Sequence, residues 1–364
     1  MKVETLLAAL KTCRSAVKQR GIYPVFSCYC FADDIVFGYD DVVAILAKCQ
    51  TGLVAAVRGD LLLGTVETFR GEIALEAKED GHVVIKSGKS TVKVPSMGPD
   101  TFLFEPPEDL GSKLELEVSS DFFAGLTKCA ATVGDDAQHR EFTAVCLSYA
   151  DKRLTLYSSD DIRLSVFEAT EAVKVHKAAK GLKQSWLLSA DACQTIVDAV
   201  NSVRDSLTAE QPVTMSFGDE MGSLTAGEQL LVYFRWLDAT PPKYAETVAR
   251  VSPDSAVWVP LSEELRAVVR RAEVLTGKDV ASALDIELNG AVCKVALNAD
   301  RGTRLGELST AFSFSSKAST GPLKLSVSVS KLSGIIEAPK VSFSEAGVGF
   351  VDGAYTCWVS PLGE

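Results

Sequence analysis

Apolar residues recur every three or four positions in three stretches of the chain, 5–17, 121–133 and 263–275. That spacing lays one face of an α-helix against a core. Leu7, Phe123 and Leu265 hold equivalent places, as do Leu10, Leu126 and Val268, and then Val17, Val133 and Leu275. Each helical stretch is followed by short runs in which apolar and polar residues alternate with the period of two that marks a half-buried strand. The interval between copies is longer than a solenoid repeat and matches the size of a whole domain. The pattern therefore reads as one unit written three times: helix, strands, second helix, strands.

The elements can be placed more closely. The first helix is expected to run to Arg20 and Gly21, with strands over 25–31 and 35–39 separated by a turn at Ala32, Asp33 and Asp34. The second copy repeats this with strands over 142–148 and 154–157 around Ala150, Asp151 and Lys152. Both copies then meet an acidic turn, Asp40-Asp41 and Asp160-Asp161, because aspartate side chains bond nearby backbone amides. Second helices are expected where Asp60, Ser189 and Ser330 can act as N-caps. Hairpins follow them, pairing 72–77 with 83–85, 213–217 with 230–234, and 341–343 with 349–351. Proline-rich breaks at 106–109 and 239–242 divide the chain into 1–112, 113–243 and 244–364. Few helices, many strands and no long crossover connections predict an α+β fold with antiparallel sheets.

Composition changes little in this picture. A hydrophobic content of 47% with 23% charged residues in 364 describes a globular chain long enough for two or three cores. No apolar run reaches the roughly 18 residues needed to cross a bilayer, and Met1-Lys-Val-Glu leads directly into a helix, so no membrane contact is expected. Nine cysteines without framework spacing, several on apolar faces, fit a reduced cytoplasm. The net charge of −11 argues against a generally basic nucleic-acid coat but leaves room for a local basic strip.

Catalytic chemistry finds little support. Gly88-Lys89-Ser90-Thr91 resembles the end of a phosphate-binding loop, but the required upstream glycine is Val83 and strand-like residues follow where a helix should begin. His82, His139 and His176 have no partner at metal or triad spacing. Cys28 and Cys30 share a strand face without a second ligand pair, and the paired aspartates read as solvated turns. Neither a cofactor, a metal site nor an enzymatic role is expected. The cations are more informative. Lys11, Arg14 and Lys18 fall on one side of the first helix with Arg20 beyond. The second copy has Lys128, then His139 and Arg140, and the third has Arg266, Arg270 and Arg271. One such helix would be an ordinary solvent face; three suggest a shared surface for a polyanion, contacted through phosphates without regard to sequence.

With these features in place, the chain resembles the β subunit of DNA polymerase III, the bacterial sliding clamp, over nearly its whole length. The stretch 154–165, Leu-Thr-Leu-Tyr-Ser-Ser-Asp-Asp-Ile-Arg-Leu-Ser, is similar to a strand followed by the family's Ala-Thr-Asp-Gly-His-Arg-Leu-Ala signature. Asp160, Arg163 and Leu164 match it, while Asp161 and Ile162 replace Gly-His. The stretch 84–90 resembles a strand with a Ser-Gly-Arg-Ser turn, Pro242-Lys-Tyr244 resembles Phe-Pro-Asp-Tyr, and 250–253 a displaced Arg-Val-Leu-Pro. Residues 354–362 resemble the terminal strand and its Met-Pro-Met tail, although this chain ends in Leu-Gly-Glu.

The resemblance implies a head-to-tail homodimer in which two chains of three domains close a ring around double-stranded DNA, serving as a processivity factor for a DNA polymerase and loaded by a clamp loader. It implies that the cations named above, from Lys11 to Arg270, face the DNA. It also implies an apolar cleft for partner peptides formed by Phe142, Ser159, Arg163, Leu164, Pro242, Val251, Ser328, Lys331, Ser360, Pro361 and Leu362. Val274 and Leu275 match the end of the family's dimer-contact helix. The departures at 161–162 and at the end of the chain suit a divergent, phage-encoded or otherwise specialised clamp. The alternative is a ring-shaped scaffold that binds proteins without encircling DNA.

Overall fold

The computed structural model describes residues 1–136, 138–208, 211–251, 256–277, 279, 281–298, 306–315 and 321–362. Among them run seven α-helices: α1 (Val3–Cys13), α2 (Gly59–Glu67), α3 (Ser120–Ala130), α4 (Ala190–Val203), α5 (Tyr244–Val251), α6 (Glu263–Thr276) and α7 (Val329–Ser333). The strands pair antiparallel, so the fold is α+β with antiparallel sheets, as the patterning predicts. The threefold element order is also visible. Each of α2, α4 and α7 is followed by three consecutive antiparallel strands: 74–78, 82–87 and 90–97; 213–217, 221–226 and 230–235; 340–344, 347–352 and 355–359.

By compactness the chain splits into two units. The first comprises Met1–Phe123, Glu171–Lys183 and Leu188–Asp238. It is built on a ten-stranded sheet whose long central strand, Val43–Arg58, pairs along its length with Cys28–Tyr39. Leu230–Arg235 joins that strand at one end and Ser90–Met97 at the other. Leu6, Leu10 and Cys13 of α1 are fully buried. Burial of the opposite sheet face depends on the segment after the third strand of the first repeat: Phe102 and Phe104 pack on Phe37 and Tyr39 with ring centroids 5.2–6.3 Å apart. The second unit comprises Ala124–Thr170, Gln184–Leu187 and Ala239–Glu364 and contains an eight-stranded and a four-stranded sheet. Its eight-stranded sheet is joined where Arg163–Glu168 pairs with the last strand, Tyr355–Val359.

Several expectations need correction. The first helix does not reach Arg20; α1 ends at Cys13 and a single 3-10 turn, Arg14–Ala16, follows. The reason is Val17, which is 4% exposed with an extended backbone (φ −103°, ψ 103°) and is turned into the core. Two glycines make room for it: a Cβ on either Gly38 or Gly59 would lie 2.7 Å from a Val17 methyl. The residues 32–34 do not reverse the chain. Cys28–Tyr39 continues through them with an irregularity between Asp33 and Ile35, and the reversal falls at the acidic turn instead. There the Asp40 carboxylate accepts from the amides of Val42 (3.0 Å) and Val43 (2.8 Å), leaving Asp41 at φ 83°. The second copy does turn where expected, with Asp151 and Lys152 both at positive φ in a two-residue hairpin.

Ser189 caps α4, accepting from the Ala192 amide at 3.3 Å. Asp60 and Ser330 instead lie within their helices, behind N-caps Arg58 and Ser328. The expected pairing of 213–217 with 230–234 is replaced by a three-strand meander, because Met221–Ala226 intervenes. Its Met-Gly-Ser-Leu-Thr-Ala sequence carries little β-branched signal. The Gly88 turn joins two strands, with Ser87 opposite Ser90.

The third helix copy also aligns differently. Leu6, Leu10 and Cys13 are buried on α1, Phe122, Leu126 and Cys129 on α3, and Leu265, Val269 and Ala272 on α6. All three sets have the same i, i+4, i+7 spacing, so α6 sits one residue later than the matching of Val268 with Leu10 implied. Arg266 thereby takes the place of Leu7 and Phe123, at the margin of the core, and Arg270 the place of Lys11.

Val17 makes the first unit's packing testable. Gly59→Ala is expected to destabilise the protein by about 1–3 kcal/mol through overpacking. Combining it with Val17→Ala should lose less than the sum of the two single changes, because the smaller side chain vacates the contested space. Urea unfolding of the four-member cycle measures this; strict additivity would contradict the assigned contact.

Candidate functional site

In the second unit the acidic turn of the middle repeat leaves Asp161 exposed but turns the Asp160 side chain inward. Asp160 has a side chain only 3% exposed, and its Oδ1 accepts from the amides of Arg163 (2.7 Å) and Ile162 (3.3 Å). Its Oδ2 accepts from Arg163 Nε at 2.9 Å and from Lys331 Nζ at 2.6 Å. Burial alone would raise this carboxyl, but the Lys331 ammonium and the Arg163 guanidinium outweigh it and hold Asp160 below the ordinary carboxylate range. Arg163 also donates to the Ala131 carbonyl at 3.2 Å, and Ser159 Oγ donates to the Arg163 carbonyl at 2.7 Å.

The end of the chain is threaded beside this cluster. Strand register sets Trp358 opposite Leu164 and Val359 opposite Arg163. Beyond the strand, the Ser360 amide donates to the Ile162 carbonyl (2.8 Å) and the Leu362 amide to the Ser326 carbonyl (2.7 Å). Two hollows lie in this unit, the larger of them lined by the segment. One, of about 220 Å³, is bounded by Phe142, His139, Asp160, Asp161 and Lys331. Another, of about 520 Å³, is bounded by Pro361, Leu362, Leu323, Leu325 and Ser326. Ser328 is fully buried at the end of its strand, immediately before α7.

Of the predicted cleft residues, Ser159, Arg163, Leu164, Lys331, Ser360, Pro361 and Leu362 are thus tied to one turn and one terminal strand, with Phe142 across the smaller hollow. Pro242 and Val251 flank the elements of α5 instead: the Pro242 carbonyl accepts from the Tyr244 amide at 2.8 Å, and Val251 is the last residue of the helix. Tyr244 stacks on Tyr157, ring centroids 5.6 Å apart at 9°. Its buried hydroxyl has no protein partner among the described residues. The pair 252–253, read as a displaced motif, lies outside the described residues. Sequence reading did not single out Asp160 as the centre of this arrangement, nor Tyr244 as a buried stacking partner. The recurrence of Asp-Asp at 40–41 and 160–161 was the available signal: Asp40 is also buried, bonds two turn amides and pairs with Lys18 at 3.4 Å.

The cationic residues divide into two groups. In the first unit Lys11, Arg14 and Arg20 are exposed, Arg14 also donating to the Val17 carbonyl at 2.9 Å. In the second unit Arg140 is exposed on a 3-10 turn and His139 lies 3.6 Å from Glu141. Other cations are engaged locally. Lys128 pairs with Asp352 at 2.5 Å and sits 5.4 Å from the Tyr355 ring centroid. Arg270 pairs with Glu337 at 2.5 Å. Arg266 has a side chain 16% exposed; it donates to the carbonyls of Ile336 (3.1 Å) and Ala338 (2.9 Å) and pairs with Glu263. This is the consequence of its place beside the core stripe. Val274 is 77% exposed on α6, whereas Leu275 is half-buried. All nine cysteines are buried, and among the described residues no group of three or more His, Cys, Asp or Glu is gathered to hold a metal. Among the described residues no helix is long and apolar enough to cross a membrane.

The architecture has close counterparts among solved structures. The DNA polymerase III subunit beta of Pseudomonas aeruginosa superposes with a TM-score of 0.81 at 14% identity, covering 100% of this chain and 98% of that one. The DNA polymerase III beta subunit of Thermotoga maritima gives 0.78 at 18% identity, covering 100% and 98%. The fold is that of the DNA polymerase III β subunit. The Helicobacter pylori beta clamp, solved with a DNA ligase peptide bound, shares this β-subunit fold with a TM-score of 0.77 at 15% identity, covering 100% and 99%. In sequence, the chain is 29% identical to the Beta sliding clamp of Helicobacter pylori strain J99 over 155 residues, which is 42% of this chain. The match spans 40% of the length of that curated relative. No protein-family model matches the chain.

The Asp160 cluster carries a pH-dependent share of stability. Because its folded pKa is lowered, the contribution is present above the ordinary aspartate value of about 4 and is lost as pH falls through the folded value. Asp160→Asn is expected to cost roughly 3 kcal/mol near pH 7, leaving Arg163 and Lys331 uncompensated, and less below pH of about 4. Thermal unfolding of both proteins across that range reads the difference directly; a penalty constant with pH would show that the carboxylate charge is not what holds the turn.

Proposed function

We propose that this protein is a divergent sliding clamp: a non-enzymatic processivity factor that encircles duplex DNA and tethers a DNA polymerase. The observation that carries the reading is a match to the β-subunit fold along the entire chain, with the threefold element order intact. In this proposal the three repeats, 1–112, 113–243 and 244–364, act as domains, and two chains meet head to tail with the exposed Val274 and its neighbour Leu275 in the contact. Its place of action is the cytoplasm of a bacterium or of a phage-infected cell, and a clamp loader opens it.

A ring retains DNA by topology, so individual phosphate contacts can stay weak and exchangeable, as sliding requires. Exposed Lys11, Arg14, Arg20 and Arg140 are suited to that role, and His139, Lys128 and Arg270 can exchange a surface carboxylate for a phosphate at small cost, while Lys18 adds its charge from beside the buried Asp40 carboxylate. Arg266 contributes to the wall chiefly by holding the backbone after α7. The hollow lined by Leu323, Leu325, Pro361 and Leu362 would take an extended peptide, its apolar side chains supplying affinity, and the hollow beside Phe142, Asp160 and Lys331 would supply a polar edge. Such tethering raises the polymerase's effective concentration at the primer end. The local pairing of Lys128, Arg266 and Arg270 favours a second reading, a protein-binding ring without DNA.

Retention on circular and linearised DNA separates these readings. After loading, the protein should stay on the circle and run off free ends; equal loss from both would exclude encirclement. Charge reversal at Lys11, Arg14 and Arg20 together should weaken loading at least tenfold, given roughly 1 kcal/mol or less per exposed contact, while dimer mass in sedimentation is unchanged. Leu164→Ala with Pro361→Ala should abolish stimulation of the cognate polymerase with assembly intact, and unchanged stimulation would remove the cleft assignment.

A further inference from the structure

A hollow of about 660 Å³ in the first unit is not part of the peptide cleft. Its rim carries Arg14, Lys18, Arg20 and Arg58 against a single carboxylate, Asp60, in a chain whose net charge is −11. Arg58 pairs with Asp60 and Lys18 with Asp40, leaving Arg14 and Arg20 without a carboxylate partner among the described residues. The floor is apolar: Val17, Cys28, Ala56 and Met97 come from four segments that the backbone holds in register, Cys28 opposite Arg58 and Ala56 opposite Met97. Ser27 and Ser96 supply hydroxyls at its edge. Burial pushes the Cys28 thiol up to about 11, so it is a neutral wall.

Beside the hollow projects a short loop. Ile22 is 91% exposed and Tyr23 55% exposed, one glycine beyond Arg20. The loop is braced: the Phe26 amide donates to the Tyr23 carbonyl (3.1 Å), the Lys18 amide to the Phe26 carbonyl (2.8 Å), and the Tyr23 ring stands edge-on to Phe26 at 5.5 Å and 86°. An exposed, oriented aromatic beside arginines and an apolar recess is the combination that binds an unpaired nucleotide, the phosphate on the cations and the base on the ring or in the recess. A paired base within a duplex presents only its edges and could not enter.

We propose that this hollow binds an unpaired nucleotide of a DNA strand, such as one displaced or left single-stranded beside the duplex. The inference rests on the DNA reading above, since Arg14, Lys18 and Arg20 belong to both surfaces, but Tyr23 and Arg58 belong to this one alone.

The test uses the full-length protein with two probes of equal length: a duplex bearing a short single-stranded gap with 2-aminopurine in it, and the same duplex fully paired. The gapped probe should bind about tenfold more tightly by anisotropy, with the 2-aminopurine emission quenched on binding, in line with base stacking of 1–3 kcal/mol. Tyr23→Ala should remove the quenching and most of the preference, Tyr23→Phe should keep both, and Arg58→Ala should weaken only the gapped probe. Retention on circular duplex should be unaffected by these three changes, so loss of retention would indict the clamp reading and not this site. Equal affinity for the two probes, or quenching that survives Tyr23→Ala, would overturn the proposal. So would displacement of the gapped probe by polyglutamate at matched charge, which would mean the hollow reads charge alone. Free dTMP binding more tightly than the gapped strand would overturn the assignment to a strand.

Discussion

A carboxylate taken out of water at a tight turn holds the second unit's most consequential region together. Asp160 accepts two amides from its own turn and two cations from residues 163 and 331, so the turn, the strand that follows it and α7 are fixed by one group. Such a group tolerates burial only with its partners in place. Because Arg163–Glu168 then pairs with Tyr355–Val359, the same constraint positions the terminal residues 360–362 and the hollow that Pro361 and Leu362 line. Asp40 repeats the arrangement in the first unit, again with two turn amides and a lysine.

The cations show how weak and strong electrostatics are separated on this chain. Those at the end of α1 and on the following loop are exposed and largely uncommitted, which suits contacts that must form and break repeatedly. Arg266, by contrast, is committed to the carbonyls of Ile336 and Ala338, and its removal would be felt as lost structure. The Arg58 side of the first unit's hollow extends the positive region beyond the helix face to a recess with shape, where an apolar floor can add selectivity that phosphate contacts lack.

Much of the architecture was legible because it rests on local rules. Helical periodicity located α1, α3 and α6, and Ser189 capped α4 as its position before an apolar run required. Asp151 and Lys152 turned where a short polar break between alternating runs called for a hairpin. Where the expectation failed, a distant residue had intervened. Glycines at 38 and 59 opened space for Val17, and the first helix gave way to it. Met221–Ala226 became a strand through its neighbours on both sides rather than through its own propensity.

The chain's own order of residues thus determined a triplicated α+β protein, its acidic turns and the types of residue available for contact. Periodicity, capping and turn chemistry act over a few positions and leave their mark in any short window. Tertiary structure decided which cations are free and which are spent, that α6 is shifted by one residue so Arg266 meets the core, and that Asp160 organises the terminal strand. These outcomes depend on burial and on partners as far apart as Asp160 and Lys331, and such distances are set only once the sheets have formed.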